Sequence, residues 1–169
     1  MAFVQDRDLL ALEPRLFGEI GWAGQRLIDA PDASLSGTTL TAASADFEAA
    51  GVEAGRVASI GGTALEVVSR ISVTQLEVSL ARVDAEGAPV PAAQTLSGRV
   101  VVTTFAPQID RAHRDLLRRV DLSEADAVVN RDAFAAAEAA EALTSIYGAA
   151  LTGGVADAAL ATKAAVWER

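Results

Sequence analysis

Two hydrophobic periods divide the chain. Between residues 35 and 104, apolar and β-branched side chains come in short runs, at 38–41, 56–60, 64–71, 75–83 and 99–104, with glycines between them. Runs of that length and composition suit a pleated, half-buried surface, and the pattern predicts a small antiparallel β module, a sandwich or a barrel. Gly61-Gly62 sits between two of the runs and predicts a hairpin turn. The stretch SADFEAAGV, residues 44–52, predicts one helical turn whose Phe47 and Val52 plug the end of the module. The link 84–98 contains two prolines and is too long for a tight hairpin, which predicts an exposed loop.

Outside this region the period becomes helical. Asp6 or Asp8 can cap a short opening helix, LLALE, which Pro14 interrupts. From Pro14 onward Leu16, Phe17, Ile20, Ala23, Gly24, Leu27 and Ile28 recur at three- and four-residue steps. This predicts a second helix ending before Ala30-Pro31-Asp32. At the other end, Pro107 marks the first turn of a helix, because its missing N–H is one a helix start cannot use. Ile109, Ala112, His113, Leu116, Leu117 and Val120 form its apolar stripe, and Asp110, Arg111, Arg114, Asp115, Arg118 and Arg119 its wet side. Ser123 with Asp126 is a weak capping box, and Asn130 or Asp132 can start a long alanine-rich helix through Phe134, Leu143, Ile146, Tyr147 and Leu151. Gly153-Gly154 stops it. A last amphipathic helix from Val155 aligns Leu160, Ala164 and Trp167.

The expected fold is therefore α+β: a helical bundle of N- and C-terminal helices, residues 1–34 and 105–169, around an inserted β module, residues 35–104, in one compact chain. Neither helical set alone buries enough apolar surface, so they are expected to pack together.

Composition narrows the function more than the fold. The net charge is −9 and the isoelectric point near 4.5, which disfavours nucleic-acid binding through Lys and Arg contacts to phosphates. There is no cysteine, so disulfides, thiolate metal sites and cysteine nucleophiles are excluded together. No run of 18 apolar residues and no signal-peptide pattern is present, so no membrane partner is expected.

Candidate chemistry is sparse. His113 is the one histidine, and Asp110 and Asp115 beside it invite a base-and-orienter or metal reading, but two ligands underfill a metal and His113 lies on the apolar stripe. A packed, hydrogen-bonded histidine is the plainer expectation. Asp84 and Glu86 read as loop solvation, and Glu138 and Glu141 as the solvated side of a helix; no pair converges as hydrolases require. Gly61-Gly62-Thr63 lacks the spacing of a phosphate-binding loop. The cluster Arg111, Arg114, Arg118 and Arg119 can pair with Asp110 and Asp115 four residues away, which favours a solvated face or a subunit contact. No catalytic residue, metal or cofactor is expected.

Three pieces in this order, ALEPRLF (11–17), GTTLTAASADFEAAGVEAGRV (37–57) and TFAPQIDRAHRDLLRRV (104–120) leading to ALTSIYGAAL (142–151), resemble the head-to-tail connector, or adaptor, proteins of tailed bacteriophages and prophages. The resemblance implies a structural, non-enzymatic virion protein of the neck, assembled in the bacterial host cytoplasm as a homo-oligomeric ring. Its partners would be the portal protein and a tail or stopper protein, and DNA would pass through without specific binding. Such adaptors are mainly helical, so the β module departs from the plainest members and leaves another neck component, tail-completion or stopper, as the alternative. A monomeric ligand-binding module is the rival outside viruses. If the chain is a ring protein, Arg111, Arg114, Arg118, Leu160, Val166 and Trp167 are the expected interface residues.

Overall fold

The computed structural model describes residues 2–123, 128–152 and 158–167. Contacts divide the chain into two units, residues 6–104 and residues 1–5 with 105–169.

The first unit is a closed barrel of six antiparallel strands. Its elements are α1 (Asp6–Leu12), α2 (Leu16–Glu19), a single 3-10 turn (Ala23–Gln25), β1 (Arg26–Ser36), β2 (Thr39–Ala42), β3 (Val57–Ile60), β4 (Thr63–Ser72), β5 (Gln75–Ser79) and β6 (Leu96–Thr103). Around the barrel the order is β1-β2-β5-β4-β3-β6, closed by the long β1–β6 pairing. Closure removes the edge strands that an open sheet of this size would expose. Inward-facing Leu35, Leu40, Ile60, Leu65, Leu76, Val100 and Val102 fill the interior, joined by Phe47 and Val52 from the β2–β3 connection, each at most 1% exposed.

The expected bundle of N- and C-terminal helices around an insert does not form. The N-terminal helices α1 and α2 pack on barrel strands, α1 on β3 and β4 and α2 on β3. Residues 6–34, expected in the helical body, are thus part of the barrel unit. The second predicted helix survives only as the four residues of α2, and from Arg26 the chain is extended. Glycines at 18, 21 and 24 weaken a helix there by roughly 1 kcal/mol each relative to alanine. As a strand, Arg26 to Ala30 gain β6 as a partner, and farther along β1 residues Ala33 to Ser36 also gain β2. Pro31 falls within the register shift between Ala30 and Ala33, where it takes no place in the ladder.

The five predicted strands are present, with the run at 75–83 stopping at Ser79. Gly61-Gly62 forms the expected two-residue hairpin between Ile60 and Thr63, with φ of 57° and 80°. Both central residues at positive φ define the turn that follows the twist of the flanking strands. A Cβ on Gly62 would meet nothing within 4 Å, so Gly62→Ala should cost only the backbone penalty, roughly 1 kcal/mol, read as a lower urea midpoint at unchanged slope. No loss would show that the turn relaxes to another type.

The second unit contains α3 (Ala106–Arg119), α4 (Arg131–Thr152) and α5 (Ala158–Trp167). Pro107 lies in the first turn of α3, one residue after its start. Ile109, Ala112, His113 and Leu117 are the buried face of α3, and Ala139, Ala142, Leu143, Ile146, Tyr147 and Ala150 supply most of that of α4. The small residues let the helices approach closely around Tyr147, which is fully buried. Asn130 is the start signal of α4, its side-chain oxygen accepting from the Ala133 amide at 3.1 Å. α3 ends in a Schellman motif: the Leu122 amide donates to the Leu117 carbonyl at 2.9 Å and the Asp121 amide to that of Arg118 at 3.3 Å. Asp121 takes the left-handed position, φ 56°, that glycine usually occupies. The Ser123–Asp126 capping box and the stop at Gly153-Gly154 lie outside the described residues.

Candidate functional site

Two clusters of buried charge and a set of surface grooves hold the chemistry of the described residues. In the barrel unit Glu66, on β4, is 1% exposed although its neighbours Leu65 and Val67 already face the core. Alternation places Glu66 on the outer face, on the strand over which α1 lies. Its carboxylate is held between two guanidiniums: Arg82 Nε pairs with Oε1, and Arg7 Nε lies 3.5 Å from Oε2. Arg7 also donates to the Arg82 carbonyl at 3.1 Å, and Arg82 to the Gly87 carbonyl. The start of the β5–β6 link is therefore anchored, with the Leu80 amide bonded to the Val90 carbonyl and the Val90 amide to Ser79 Oγ. The loop expected at 84–98 is exposed along much of its length, but this base is tied to the barrel and its last residues, from Leu96, belong to β6. Beside the cluster, Arg56 joins buried Asp6 at 3.2 Å and Thr104 Oγ1 at 2.9 Å.

The helical unit contains the second cluster. Glu138, expected on the solvated side of its helix, is 0% exposed. Its Oε1 accepts from the Val4 amide at 3.1 Å, and its Oε2 from the Phe3 amide at 3.4 Å and lies 2.8 Å from His113 Nδ1. With Glu138 ionised, Nδ1 is the ring nitrogen that carries the hydrogen. The edges of Phe3 and Phe134 close over the imidazole at centroid distances of 5.5 and 5.8 Å, and Arg131 stacks 5.7 Å from the Phe3 ring. His113 is 4% exposed, so this pair fastens the N-terminal residues to α3 and α4 and is closed to a substrate. A histidine on an apolar stripe signalled burial. Its partner gave no signal in the sequence, because Glu138 lies in an alanine tract with nothing nearby to neutralise it.

The surface carries the remaining candidates. Arg111 and Arg118 are each 74% exposed and share Asp115, while Arg119 pairs with Glu141 on α4 at 2.8 Å. The Asp110–Arg114 and Asp115–Arg119 pairs allowed by their spacing do not form; Arg114 is exposed and makes no ion pair with a described residue. Arg114, Leu117, Arg118, Leu122 and Ser123 line a groove of about 210 Å³ at the end of α3. Of the expected interface residues on α5, Leu160 is buried at 4% within its own unit, Trp167 is half-buried with its carbonyl 2.9 Å from Thr144 Oγ1, and Val166 is 61% exposed.

Electrostatics outside these clusters is superficial. Hydrogen bonding from Arg99 holds the Asp29 carboxyl below its usual range, and the Ser44 hydroxyl does the same for Asp32. Among the described residues no group of three or more His, Asp or Glu side chains could hold a metal ion, and no helix is long and apolar enough to cross a membrane. Comparison of the chain with protein-family models, with curated proteins and with solved structures found no match.

Proposed function

We propose that the chain is a structural component of a tailed-phage neck, acting in a homo-oligomeric ring between portal and tail. The observation that carries this reading is the filled barrel. Its interior is occupied by its own side chains, from Leu35 through Phe47 to Val102, so the working surface of the unit is its outside. That weighs against the rival in which the β module encloses a small ligand. The buried charges point the same way: Glu66 and Glu138 each bind segments of their own unit in place, which suits a structural role. Because connector adaptors are mainly helical, a unit built on a barrel favours a stopper or tail-completion position over the plain adaptor position. The net charge of −9 suits a channel through which DNA slides without being gripped.

Electron microscopy and light scattering of the purified chain, alone and with the portal protein of its virion, test the reading. Closed rings, or rings formed on the portal, are the expected result. A monomer at every concentration that does not bind portal, or a melting temperature raised by a small ligand, overturns it.

A further inference from the structure

The β4–β5 turn carries two exposed apolar side chains, Ile71 at 53% and Val73 at 47%. This tip is fastened rather than loose. The Phe47 amide donates to the Val73 carbonyl at 2.8 Å, the Ala42 amide to the Thr74 carbonyl at 3.0 Å, and Arg70 to the Val52 carbonyl at 3.3 Å. Apolar side chains on a stiff turn lose little freedom when a partner covers them. The connection that holds the tip is acidic: Asp46, Glu48 and Glu53 are all exposed, while its Arg56 is taken up by buried Asp6 and the nearby Arg70 of β4 lies 3.8 Å from Glu48.

The groove on α3 has the opposite character. Leu117 and Leu122, brought together by the Schellman motif that ends the helix, give it apolar walls. Arg114 and Arg118, both exposed, give it a cationic rim, and Arg114 has no ion-pair partner among the described residues. A cavity of roughly 150 Å³ accepts a benzene-sized guest, so about 210 Å³ accommodates a branched aliphatic side chain.

We propose that the Ile71–Val73 tip of one copy seats in the α3 groove of a second copy, with Asp46, Glu48 and Glu53 facing Arg114 and Arg118. The occupant is a second copy because the two surfaces are complementary in both respects, an apolar knob with an acidic surround and an apolar groove with a basic rim. The two patches differ, so the contact is heterologous, and a pair of copies keeps one free tip and one free groove. Repetition gives a ring or a filament. The proposal rests on the neck reading only for closure into a ring.

The test uses the full chain and two double variants, Ile71→Asn with Val73→Asn at the tip and Arg114→Glu with Arg118→Glu at the groove. All four side chains are exposed, so melting temperatures should stay close to that of the unaltered chain; should the tip pair fail to fold, Glu48→Arg replaces it. Each variant alone is expected to raise the concentration for half-assembly about tenfold or more. An equimolar mixture of tip and groove variants should form dimers and stop there, since only one intact tip and one intact groove remain. Assembly of either variant at the concentration of the unaltered chain overturns this interface and leaves the neck reading standing. An unaltered chain that stays monomeric, alone and with portal, overturns both.

Discussion

Glu66→Ala is expected to lower the unfolding free energy of the barrel unit by roughly 3–5 kcal/mol, because it leaves the buried Arg82 guanidinium without a counter-charge and Arg7 with only the exposed Asp8, 3.6 Å from its Nε. Glu66 is 1% exposed, and the side chains of Arg82 and Arg7 are 8% and 11% exposed, so solvent cannot replace the lost carboxylate. Domains of ordinary stability have about 5–15 kcal/mol in all, so a loss of this size is a large fraction of the total. Glu66→Gln should fall between the two proteins, since its amide keeps one acceptor oxygen but no charge. Urea melts at unchanged slope measure the difference. Protease cleavage between residues 82 and 88 should rise in parallel, because Arg82 ties that segment to β4 through Glu66 and to Gly87 through its carbonyl. A Glu66→Ala protein within about 1 kcal/mol of the unaltered chain would mean that the arginines turn out to water at little cost.

Glu138→Ala should have the second largest effect, roughly 3 kcal/mol, and in the helical unit. It removes the acceptor of His113 Nδ1 and of the Phe3 and Val4 amides at once, leaving polar groups buried beneath Phe3 and Phe134. Amide hydrogen exchange at residues 3 and 4 should quicken by more than at α5. The double replacement His113→Leu with Glu138→Leu should cost clearly less than the sum of the two single replacements, since it removes both ends of the buried pair. Strict additivity would show that the two residues do not act together and that the strap is held by ring packing alone.

Both residues illustrate what is local and what is not in this chain. The hairpin at Gly61-Gly62, the strand at 57–60 and the start of α4 at Asn130 were legible because each depends on a few adjacent residues: two positive φ angles, a β-branched run, a side-chain oxygen three residues ahead of an amide. The apolar stripe of α3 was legible for the same reason, and it correctly implied that His113 is packed. The residues of α3 that line the groove were named only in part. Arg114 and Arg118 stood out as charges, but Leu122 becomes a wall only through the turn at Asp121, which puts an aspartate where a glycine signal would have announced a helix end.

Sequence alone was enough to determine the short-range elements, the absence of cysteine chemistry and the acidic balance. Tertiary structure decided the barrel. Leu27 and Ile28 satisfy a helical period and a strand equally well, and the choice fell to β1 because β6 offers it hydrogen-bond partners 61 to 77 residues away, which no local window contains. It likewise decided which carboxylates are structural. Burying an acid is favourable or ruinous according to what faces it, and Glu66 meets Arg82 16 residues on, while Glu138 meets His113 25 residues back and Val4 134 residues back. The energy of a buried charge belongs to its partners, and partners are assigned only when the chain has folded.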